Sequence, residues 1–224
     1  MEDMETERPP GDTSLEWIPL AACLGIRELR YAVLDLETSG GLPKARWDRQ
    51  ERFHSAAEIT EVGLVALTGP VVEGSFERLC AVEHGIPPNI QRLTGITPAL
   101  LAGAPSFEQA VFELAPWLEG RVWVAHHAPF DGSFLKAWLP QGLWSRHRLV
   151  CTRLLAKELV PEAPSRALNR LCALLGIFNR RPHRALADAE ATVELLRQLM
   201  ERAEALGWDG ERFLQCGEVS WAKL

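Results

Sequence analysis

The chain has 224 residues, of which 47% are hydrophobic and 24% are charged, and its formal net charge is −6. This composition suits one globular domain with a sizeable core. The acidic balance argues against a protein that coats nucleic acid through a broad basic face, although it leaves room for an enzyme that grips one strand end. Part of the acid excess could serve as metal ligands, whose charge a bound divalent ion would cancel.

The cysteines are odd in number, with no C-x-x-C pair and no regular spacing, which predicts reduced and mostly buried thiols. They are Cys23, Cys80, Cys151, Cys172 and Cys216. The acidic N-terminus lacks a basic segment followed by an apolar core, and no apolar run approaches the roughly 20 residues that cross a bilayer. We therefore expect a cytoplasmic protein without membrane contact.

The first predicted strand, in the sequence YAVLDLETSG at residues 31–40, ends in two carboxylates. Successive side chains of a strand alternate between its faces, so Asp35 and Glu37 share one side with Tyr31 and Val33. The two like charges lie about 7 Å apart, and burying either one without a partner costs several kcal/mol. Either the strand ends at a sheet edge where water solvates both acids, or a cation lies between them.

A polar loop from Leu42 to Ala57 comes next and interleaves basic with aromatic residues. These residues are Arg46, Trp47, Arg49, Arg52 and Phe53. Such a loop could contact phosphates and bases of a nucleic acid. The alternative is an ordinary solvated surface loop.

Two further strands are predicted at Ile59–Leu67 and Phe76–Val82, and the turn signal Thr68-Gly-Pro70 between them indicates an antiparallel meander. The run RVWVA at residues 121–125 is apolar on both faces, as expected of a central parallel strand covered by helices. Three strands followed by alternating helices and strands predict an α/β fold with a mixed sheet flanked by helices.

Helices are predicted from caps and from apolar stripes. Ser106 and Gln109 resemble a capping box at the start of an amphipathic helix that continues to Trp117. Two later stripes have helical spacing; they are Leu168, Leu171, Cys172 and Leu175, and Leu186, Ala189, Val193, Leu196 and Met200. We divide the chain into an N-terminal extension (1–28) with an apolar patch at its end, a central domain (29–204) and a C-terminal tail (205–224) without strong periodicity.

The segment His126-His-Ala-Pro-Phe-Asp131 follows the RVWVA strand directly and places Asp131 near the start of a helix. Negative charge is favoured there by the free N–H groups and the dipole of the first turn. The carboxyl edge of a sheet is also where open α/β folds collect active-site residues. Both interpretations of Asp131 are open at this point.

The segment His183-Arg-Ala-Leu-Ala-Asp188 lies just ahead of the last long helix. Asp188 lies beside the apolar stripe of that helix rather than opposite it, so its carboxylate can face a neighbouring sheet edge. His183 lies near the helix entrance. The alternatives are a solvated helix residue for Asp188 and a surface or loop histidine for His183.

Three segments together resemble the exonuclease motifs of the DEDDh family, most closely in its proofreading (epsilon) subunits of bacterial DNA polymerase III. They are Asp35-x-Glu37-Thr-Ser-Gly40, His126-His-Ala-x-Phe-Asp131 and His183-Arg-Ala-x-x-Asp188. The connecting stretches Leu93-Thr-Gly-Ile-Thr-Pro98 and Leu168-x-x-Leu-Cys172 are similar too, and the likeness runs from about residue 29 to about residue 203. Three motifs in the expected order and contexts are highly specific.

The resemblance implies a ribonuclease H-like fold for the central domain and a metal-dependent 3′-5′ exonuclease that releases nucleoside 5′-monophosphates from single-stranded DNA 3′ ends. It also implies two Mg²⁺ or Mn²⁺ ions and a general base, His183. The implied metal ligands are Asp35, Glu37, Asp131 and Asp188. Carboxylate oxygens suit these ions, a pair of which can clamp a scissile phosphate, and histidine accepts protons near neutral pH.

Three more positions match family residues that lie around the terminal nucleotide. They are Thr38, Glu61 and Phe130, although core packing is the favoured role of Phe130 over base stacking. His127 departs from the family pattern, which usually has Asn there; we interpret it as a helix-capping residue or one that supports a ligand, with an additional metal ligand as the alternative. The loop from Leu42 to Ala57 is longer than usual, and no polymerase-binding tail or clamp-binding peptide is evident.

The expected role is proofreading or repair, with a DNA polymerase as a possible partner. An RNA-trimming exoribonuclease of the same family is the first alternative, because sugar choice depends on contacts to the 2′-OH that motifs do not reveal. A noncatalytic scaffold that binds a polymerase or nucleic acid is the second. The scaffold predicts that a metal ligand or the base is missing, whereas all five residues are present.

Overall fold

The fold is described from a computed structural model, which covers residues 24–44 and 56–224 together with the backbone of 46–47 and 53–54. Most of the N-terminal extension, including Cys23, lies outside the described residues. So do the basic and aromatic side chains predicted to line the loop after the first strand, although its backbone at 46–47 and 53–54 forms a two-stranded antiparallel pair.

The central feature is a mixed six-stranded sheet. Its strands are β1 (Arg30–Thr38), β4 (Ile59–Thr68), β5 (Val71–Leu79), β6 (Val122–Ala125), β7 (Leu149–Cys151) and β8 (Glu218–Val219), while β2 (Arg46–Trp47) and β3 (Phe53–His54) form the separate pair. The order across the large sheet is β5-β4-β1-β6-β7-β8. The β1, β6 and β7 strands run parallel, and the other pairings are antiparallel. The predicted meander followed by parallel strands is confirmed.

Helices cover both faces of this sheet. They are α1 (Pro88–Thr94), α2 (Phe107–Leu118), α3 (Pro129–Trp138), α4 (Gln141–Trp144), α5 (Thr152–Leu159), α6 (Leu168–Leu175), α7 (Ala185–Ala205) and α8 (Gly210–Gly217), with a 3₁₀ turn at Trp221–Lys223. The capping box of α2 is present, because the Ser106 side chain accepts from the Gln109 backbone and the Gln109 side chain accepts from the Ser106 backbone.

Alternation along β1 divides the core into two layers. Tyr31 and Val33 pack with α7 on one face of the sheet, whereas Ala32 and Leu34 pack with α2 and α3 on the other. Both predicted helical stripes contribute to the first layer, in which Val193 and Leu196 of α7 are buried. The alternate residues of β1 and the apolar stripe of α7 therefore pack against each other on one side of the sheet.

The predicted bounds of the third strand are wrong: β5 is Val71–Leu79 rather than Phe76–Val82. The turn is tighter than expected, since Gly69 adopts a positive φ of 51° and the chain reverses within two residues. Val71 and Val72 are exposed at the start of this edge strand, so its first half lacks the buried apolar alternation on which the prediction depended.

The C-terminal residues contain an element that the sequence did not predict. The α8 helix buries Phe213 and Leu214 completely in the layer beneath α7, and β8 adds an antiparallel strand to β7. At eight residues α8 is too short for its periodicity to stand out. The Asp209 side chain caps its N-terminus by accepting from the Arg212 N–H at 2.8 Å. The domain division at residues 28 and 204 stays a prediction.

Four free cysteines lie in the described part of the chain, where Cys80, Cys151 and Cys172 are buried and Cys216 is partly exposed. These positions agree with the expected reduced thiols. Among the described residues, none of the helices has the length and apolar character needed to span a membrane.

Candidate active site at the carboxyl end of the first strand

Asp35 and Glu37 lie on the side of β1 that faces α7. Both carboxylates are partly buried, and in the antiparallel register they lie opposite Gly63 and Glu61 of β4. The register shifts between Glu37 and Thr38, so regular pairing breaks immediately after the second acid. The two carboxylates therefore lie where the sheet opens toward the loops that follow its strands.

Asp131 reaches the same strand from the other layer. It lies in the first turn of α3, is 2% exposed, and accepts a hydrogen bond at Oδ1 from the Leu36 N–H at 3.1 Å. Leu36 is the residue between the two acids of β1. The short β6 strand ends only a few residues before Asp131, and this brings α3 to the carboxyl end of β1, with which β6 pairs in parallel.

Asp188 and His183 are contributed by α7 and the loop before it. The Asp188 carboxylate accepts from the His183 N–H at 3.0 Å through Oδ2 and from the Asn179 side chain through Oδ1. One potential ligand atom from each of Glu37, His183 and Asp188 lies within 4.8 Å of the others. His183 is exposed and has a positive φ of 64° in the loop just before α7.

All four acids have a raised pKa, chiefly because they are buried. Burial raises the pKa of Asp35 well above its usual range, and the charges of Asp131 and Asp188 raise it further. Burial and the Asp188 charge raise the pKa of Glu37 to about 8. Burial likewise raises the pKa of Asp131 to about 8, against the backbone hydrogen bond from Leu36, and raises that of Asp188. Such crowding is unfavourable unless protons or cations neutralise it.

This donor set fits hard divalent cations. Asp35, Glu37, Asp131 and Asp188 supply only carboxylate oxygens, the ligands that Mg²⁺ and Mn²⁺ prefer. Besides burial, the charges of Asp131, Asp188 and Glu37 raise the pKa of Asp35, and those of Asp188 and Asp131 raise the pKa of Glu37, so the two acids of β1 lie within electrostatic range of the acids from the helices. A bound cation would replace repulsion by attraction at the point where the chain concentrates negative charge.

Glu61 is fully buried, and its oxygens are bonded within the protein. The Arg184 Nε donates to both oxygens at 2.9 and 3.0 Å, and the Ala185 N–H donates to one of them at 2.9 Å. Arg184 directly follows His183, so this ion pair joins the loop that holds the histidine to the first half of β4. The contact of Glu61 with a terminal nucleotide stays a prediction, and the observed bonds point to a positioning role.

Thr38 and Phe130 border the same region. The Thr38 hydroxyl donates to the Gly40 carbonyl at 2.6 Å and is largely buried, so it stabilises the turn after β1. Phe130 packs against Phe134 with ring centroids 5.1 Å apart and stays partly exposed. This contact agrees with the favoured packing role, while the contact of either residue with substrate stays a prediction.

The two histidines after β6 behave differently. His126 is partly buried and bonds to the Thr152 hydroxyl and the Arg166 carbonyl, each at 2.9 Å. His127 is exposed and lies 3.1 Å from the Arg153 guanidinium through Nδ1. The helix-capping interpretation of His127 is wrong, because α3 has no side-chain cap and begins at Ala128-Pro129. Its ring also lies outside the group of candidate metal ligands found among the described residues, which contains Glu37, His183 and Asp188 and does not include Asp35 or Asp131 either.

Sequence reasoning missed residues that support the acids. Asn179 binds Asp188, and Arg184 binds Glu61 across 123 residues of sequence. Asn179 lies in a polar loop that has no periodicity to mark it. Arg184 stands inside the third motif, but its partner is identifiable only from the tertiary fold.

Comparison with known proteins identifies the family. The family model described as Exonuclease (RNase_T) matches residues 32–196, a span that includes all five predicted catalytic residues. The chain belongs to this exonuclease family. The resemblance predicted from three motifs is therefore confirmed, and the chain contains a 3′-5′ exonuclease domain of the RNase_T family.

Relatives of this exonuclease domain include proteins of several architectures. A Mycobacterium tuberculosis protein, whose name describes a candidate bifunctional exonuclease/endonuclease, is 38% identical over 190 residues, which are 83% of this chain and 28% of the relative. The DNA polymerase III epsilon subunit of Aquifex aeolicus is 28% identical over 76% of this chain and 80% of its own length. A PolC-type DNA polymerase III of Thermotoga maritima is 31% identical over 79% of this chain and 12% of its own length. The chain thus spans less than a third of the length of two of these relatives.

Solved structures share the fold. Exonuclease X in complex with 5′ overhanging duplex DNA aligns with a TM-score of 0.61 and 24% identity, over 84% of this chain and 98% of its own. Escherichia coli exonuclease I in complex with a dT13 oligonucleotide aligns with a TM-score of 0.65 and 16% identity, over 80% of this chain and 42% of its own. The ribonuclease H-like exonuclease fold predicted from the sequence is confirmed.

Proposed function

We propose that this exonuclease domain removes nucleoside 5′-monophosphates from the 3′ ends of single-stranded DNA by a two-metal mechanism, in proofreading or repair. The observation that supports it most is the meeting of three distant segments at one end of β1. Asp131 is hydrogen-bonded to Leu36 between the two acids of β1, and Asp188 lies with His183 beside Glu37.

Asp35, Glu37, Asp131 and Asp188 would hold the metal ions through carboxylate oxygens. A pair of bound Mg²⁺ or Mn²⁺ ions would supply charge stabilisation for the attacking water, the scissile phosphate and the departing 3′ oxygen. The protein's own contribution is to keep these oxygens converged, through the Leu36 N–H on Asp131 and the His183 N–H and Asn179 amide on Asp188.

His183 would accept the proton of the attacking water at a ring nitrogen. Its exposed ring lies next to Glu37 and Asp188. A water molecule bound between the ring and these acids would therefore be within its reach. The Asp188 Oδ2 bond to the His183 N–H and the neighbouring Arg184–Glu61 pair fix the backbone that presents this ring. General bases placed in this way typically contribute about 10²–10⁴-fold to rate.

The preference for DNA and the link to replication are supported by the relatives. One is named as the epsilon subunit of DNA polymerase III, and two of the structures with this fold contain DNA. We therefore propose DNA as the substrate and a DNA polymerase as a candidate partner.

The test is a metal-dependence assay on single-stranded oligonucleotides with a label at the 3′ or the 5′ end. We expect hydrolysis with Mg²⁺ or Mn²⁺, none in chelator, immediate release of the 3′ label as a mononucleotide, and a descending ladder from the 5′ label. An Asp35→Asn protein prepared identically is the control for contaminating nucleases. Absence of hydrolysis with either metal would refute the enzyme, and faster cleavage of a matched RNA would refute the DNA preference.

A further inference from the structure

A second cluster of polar side chains lies beside the acids, at the ends of the two neighbouring parallel strands. His127 follows β6 and Arg153 follows β7, and both side chains are exposed. The Arg153 guanidinium lies 3.1 Å from Nδ1 of His127. We call these two residues the His127–Arg153 pair.

The parallel pairing of β1, β6 and β7 places this pair at the same edge of the sheet as the acids of β1. Val33 is the partner of Val124, and Ala125 is the partner of Cys151. β6 ends at Ala125 and β7 at Cys151, so His127 and Arg153 each lie two residues past the end of their strand, as Asp35 lies two residues past the last residue of β1 that pairs with β6. Because neighbouring strands are about 4.8 Å apart, β6 and β7 lie roughly 5 and 10 Å from β1. Stacked nucleotides rise about 3.4 Å each, so this distance corresponds to roughly one to three nucleotides.

The pair is positively charged and lacks an acidic partner. Arg153 forms no ion pair with any carboxylate in the described ranges, where nearly every other arginine bond to a side chain is to Asp or Glu. A guanidinium has donors only, so Nδ1 of His127 must accept its hydrogen bond. Arg153 forms no other side-chain hydrogen bond within the described ranges, so its remaining N–H groups can donate to an anionic acceptor from outside, in a chain whose net charge is −6.

The local backbone holds the pair in place. His127 has a positive φ of 61°, a conformation that costs a non-glycine residue roughly 1–3 kcal/mol. The adjacent His126 ties the two strand ends together through Thr152, the residue before Arg153. Burial lowers the pKa of His126 to about 4, so its ring stays neutral and serves as a structural link. Burial and the Arg153 charge lower the pKa of His127 as well, in keeping with an Nδ1 that accepts.

We propose that the His127–Arg153 pair binds a backbone phosphate of the substrate strand, one to three nucleotides upstream of the scissile bond. This inference rests on the proposed function and adds a subsite to it. Arg153 supplies the charge and the N–H donors for the phosphate oxygens. His127 orients the guanidinium through Nδ1.

The test compares two substrates and two arginine variants. Arg153→Ala removes the proposed contact, and Arg146→Ala is the matched control, because Arg146 is also exposed and precedes the opposite end of β7, with an ion pair to Glu119. Binding of a fluorescent single-stranded oligonucleotide in Ca²⁺ is followed by anisotropy at several salt concentrations. Hydrolysis of the p-nitrophenyl ester of thymidine 5′-monophosphate, which has no upstream phosphate, is followed by absorbance.

Arg153→Ala should weaken oligonucleotide binding about tenfold, the effect of one charged hydrogen-bonding contact. It should also reduce the slope of log affinity against log salt by about 0.7, as expected for one phosphate of a single strand. Hydrolysis of the ester should not change. His127→Asn, which keeps a residue type tolerant of positive φ, should weaken binding roughly threefold, as expected for one neutral hydrogen bond.

An Arg153→Ala protein that binds the oligonucleotide like Arg146→Ala, with the same salt slope, would overturn the subsite. So would an equal loss of ester hydrolysis, which would place Arg153 at the reacting phosphate or in the fold instead. Wild-type protein that hydrolyses neither substrate would instead refute the proposed function. The binding comparison would still decide the subsite in that case.

Discussion

At the scale of single residues, the unusual feature is the number of buried or partly buried carboxylates beside β1. Burial raises the pKa values of Asp35, Glu37 and Asp131, and the charges of neighbouring acids raise those of Asp35 and Glu37 further. A fold that evolved for stability alone would not concentrate like charges in this way. Cation binding would give these residues a function and would offset the cost of crowding them.

His183→Ala should lower the rate of oligonucleotide hydrolysis roughly 10²–10⁴-fold while metal binding is retained, because the backbone bond from residue 183 to Asp188 does not need the ring. Single-turnover kinetics measure the rate, and calorimetric titration with Mn²⁺ measures the binding. A variant that loses Mn²⁺ as well would make the histidine a ligand rather than a base.

Glu61→Gln should destabilise the protein by about 3–5 kcal/mol, because it breaks a buried ion pair and leaves the Arg184 charge without its main partner. Glu77 is the matched control. It is 46% exposed and lies 3.6 Å from the same guanidinium, so Glu77→Gln should cost less than about 1 kcal/mol. Urea denaturation of both variants measures the difference, and equal losses would show that burial of Glu61 does not matter.

At the scale of elements, the approach of α7 to β4 depends on a glycine. A Cβ at Gly63 would overlap the backbone of Ala185 and Leu186, at the first turn of α7. Gly63 is also the register partner of Asp35. The absence of a side chain there lets the first turn of α7, and with it Asp188, lie close to the acids of β1.

Gly63→Ala should therefore cost about 1–3 kcal/mol of stability. It should also reduce hydrolysis roughly 10²-fold, because the added methyl group would displace Asp188, and a displacement of about 1 Å is enough for such a loss. Gly142→Ala is the control, since a Cβ there meets nothing within 4 Å and it lies in the short α4 helix. Thermal denaturation and the hydrolysis assay test both effects. Wild-type activity in Gly63→Ala would contradict the proposed role of this close approach.

The last helix offers a test of whether residues after 204 belong to the folded domain. Phe213→Ala should cost about 3–5 kcal/mol, as expected for emptying a fully buried aromatic site. Phe178→Ala removes the same side chain from a position that is 82% exposed and should cost less than about 0.5 kcal/mol. If urea denaturation gives the two variants the same stability, the C-terminal segment is a dispensable tail.

At the scale of the whole molecule, the sequence predicted what depends on short-range patterns. Alternation in β1 and the stripe of α7 predicted the layer between them, and the three motifs predicted the family. Contacts that join distant segments were not predictable in the same way: the Arg184–Glu61 pair spans 123 residues, and β8 is only two residues long. Neither the ion pair nor the strand produces a periodic pattern in the sequence. Each can be identified only from the folded structure.

The central claim is that the acids at the end of β1 bind divalent metal, and the shift in melting temperature on adding Mn²⁺ tests it most directly. At about 100 times Kd the linkage gain is about 2.7 kcal/mol, which for a chain of this size corresponds to roughly 5–10 °C. Asp35→Asn has nearly the same shape as the wild type but one buried charge fewer. Without metal it should melt at or above the wild-type temperature, and the Mn²⁺ shift should be largely lost. An Asp35→Asn protein that gains as many degrees from Mn²⁺ as the wild type would contradict the claim.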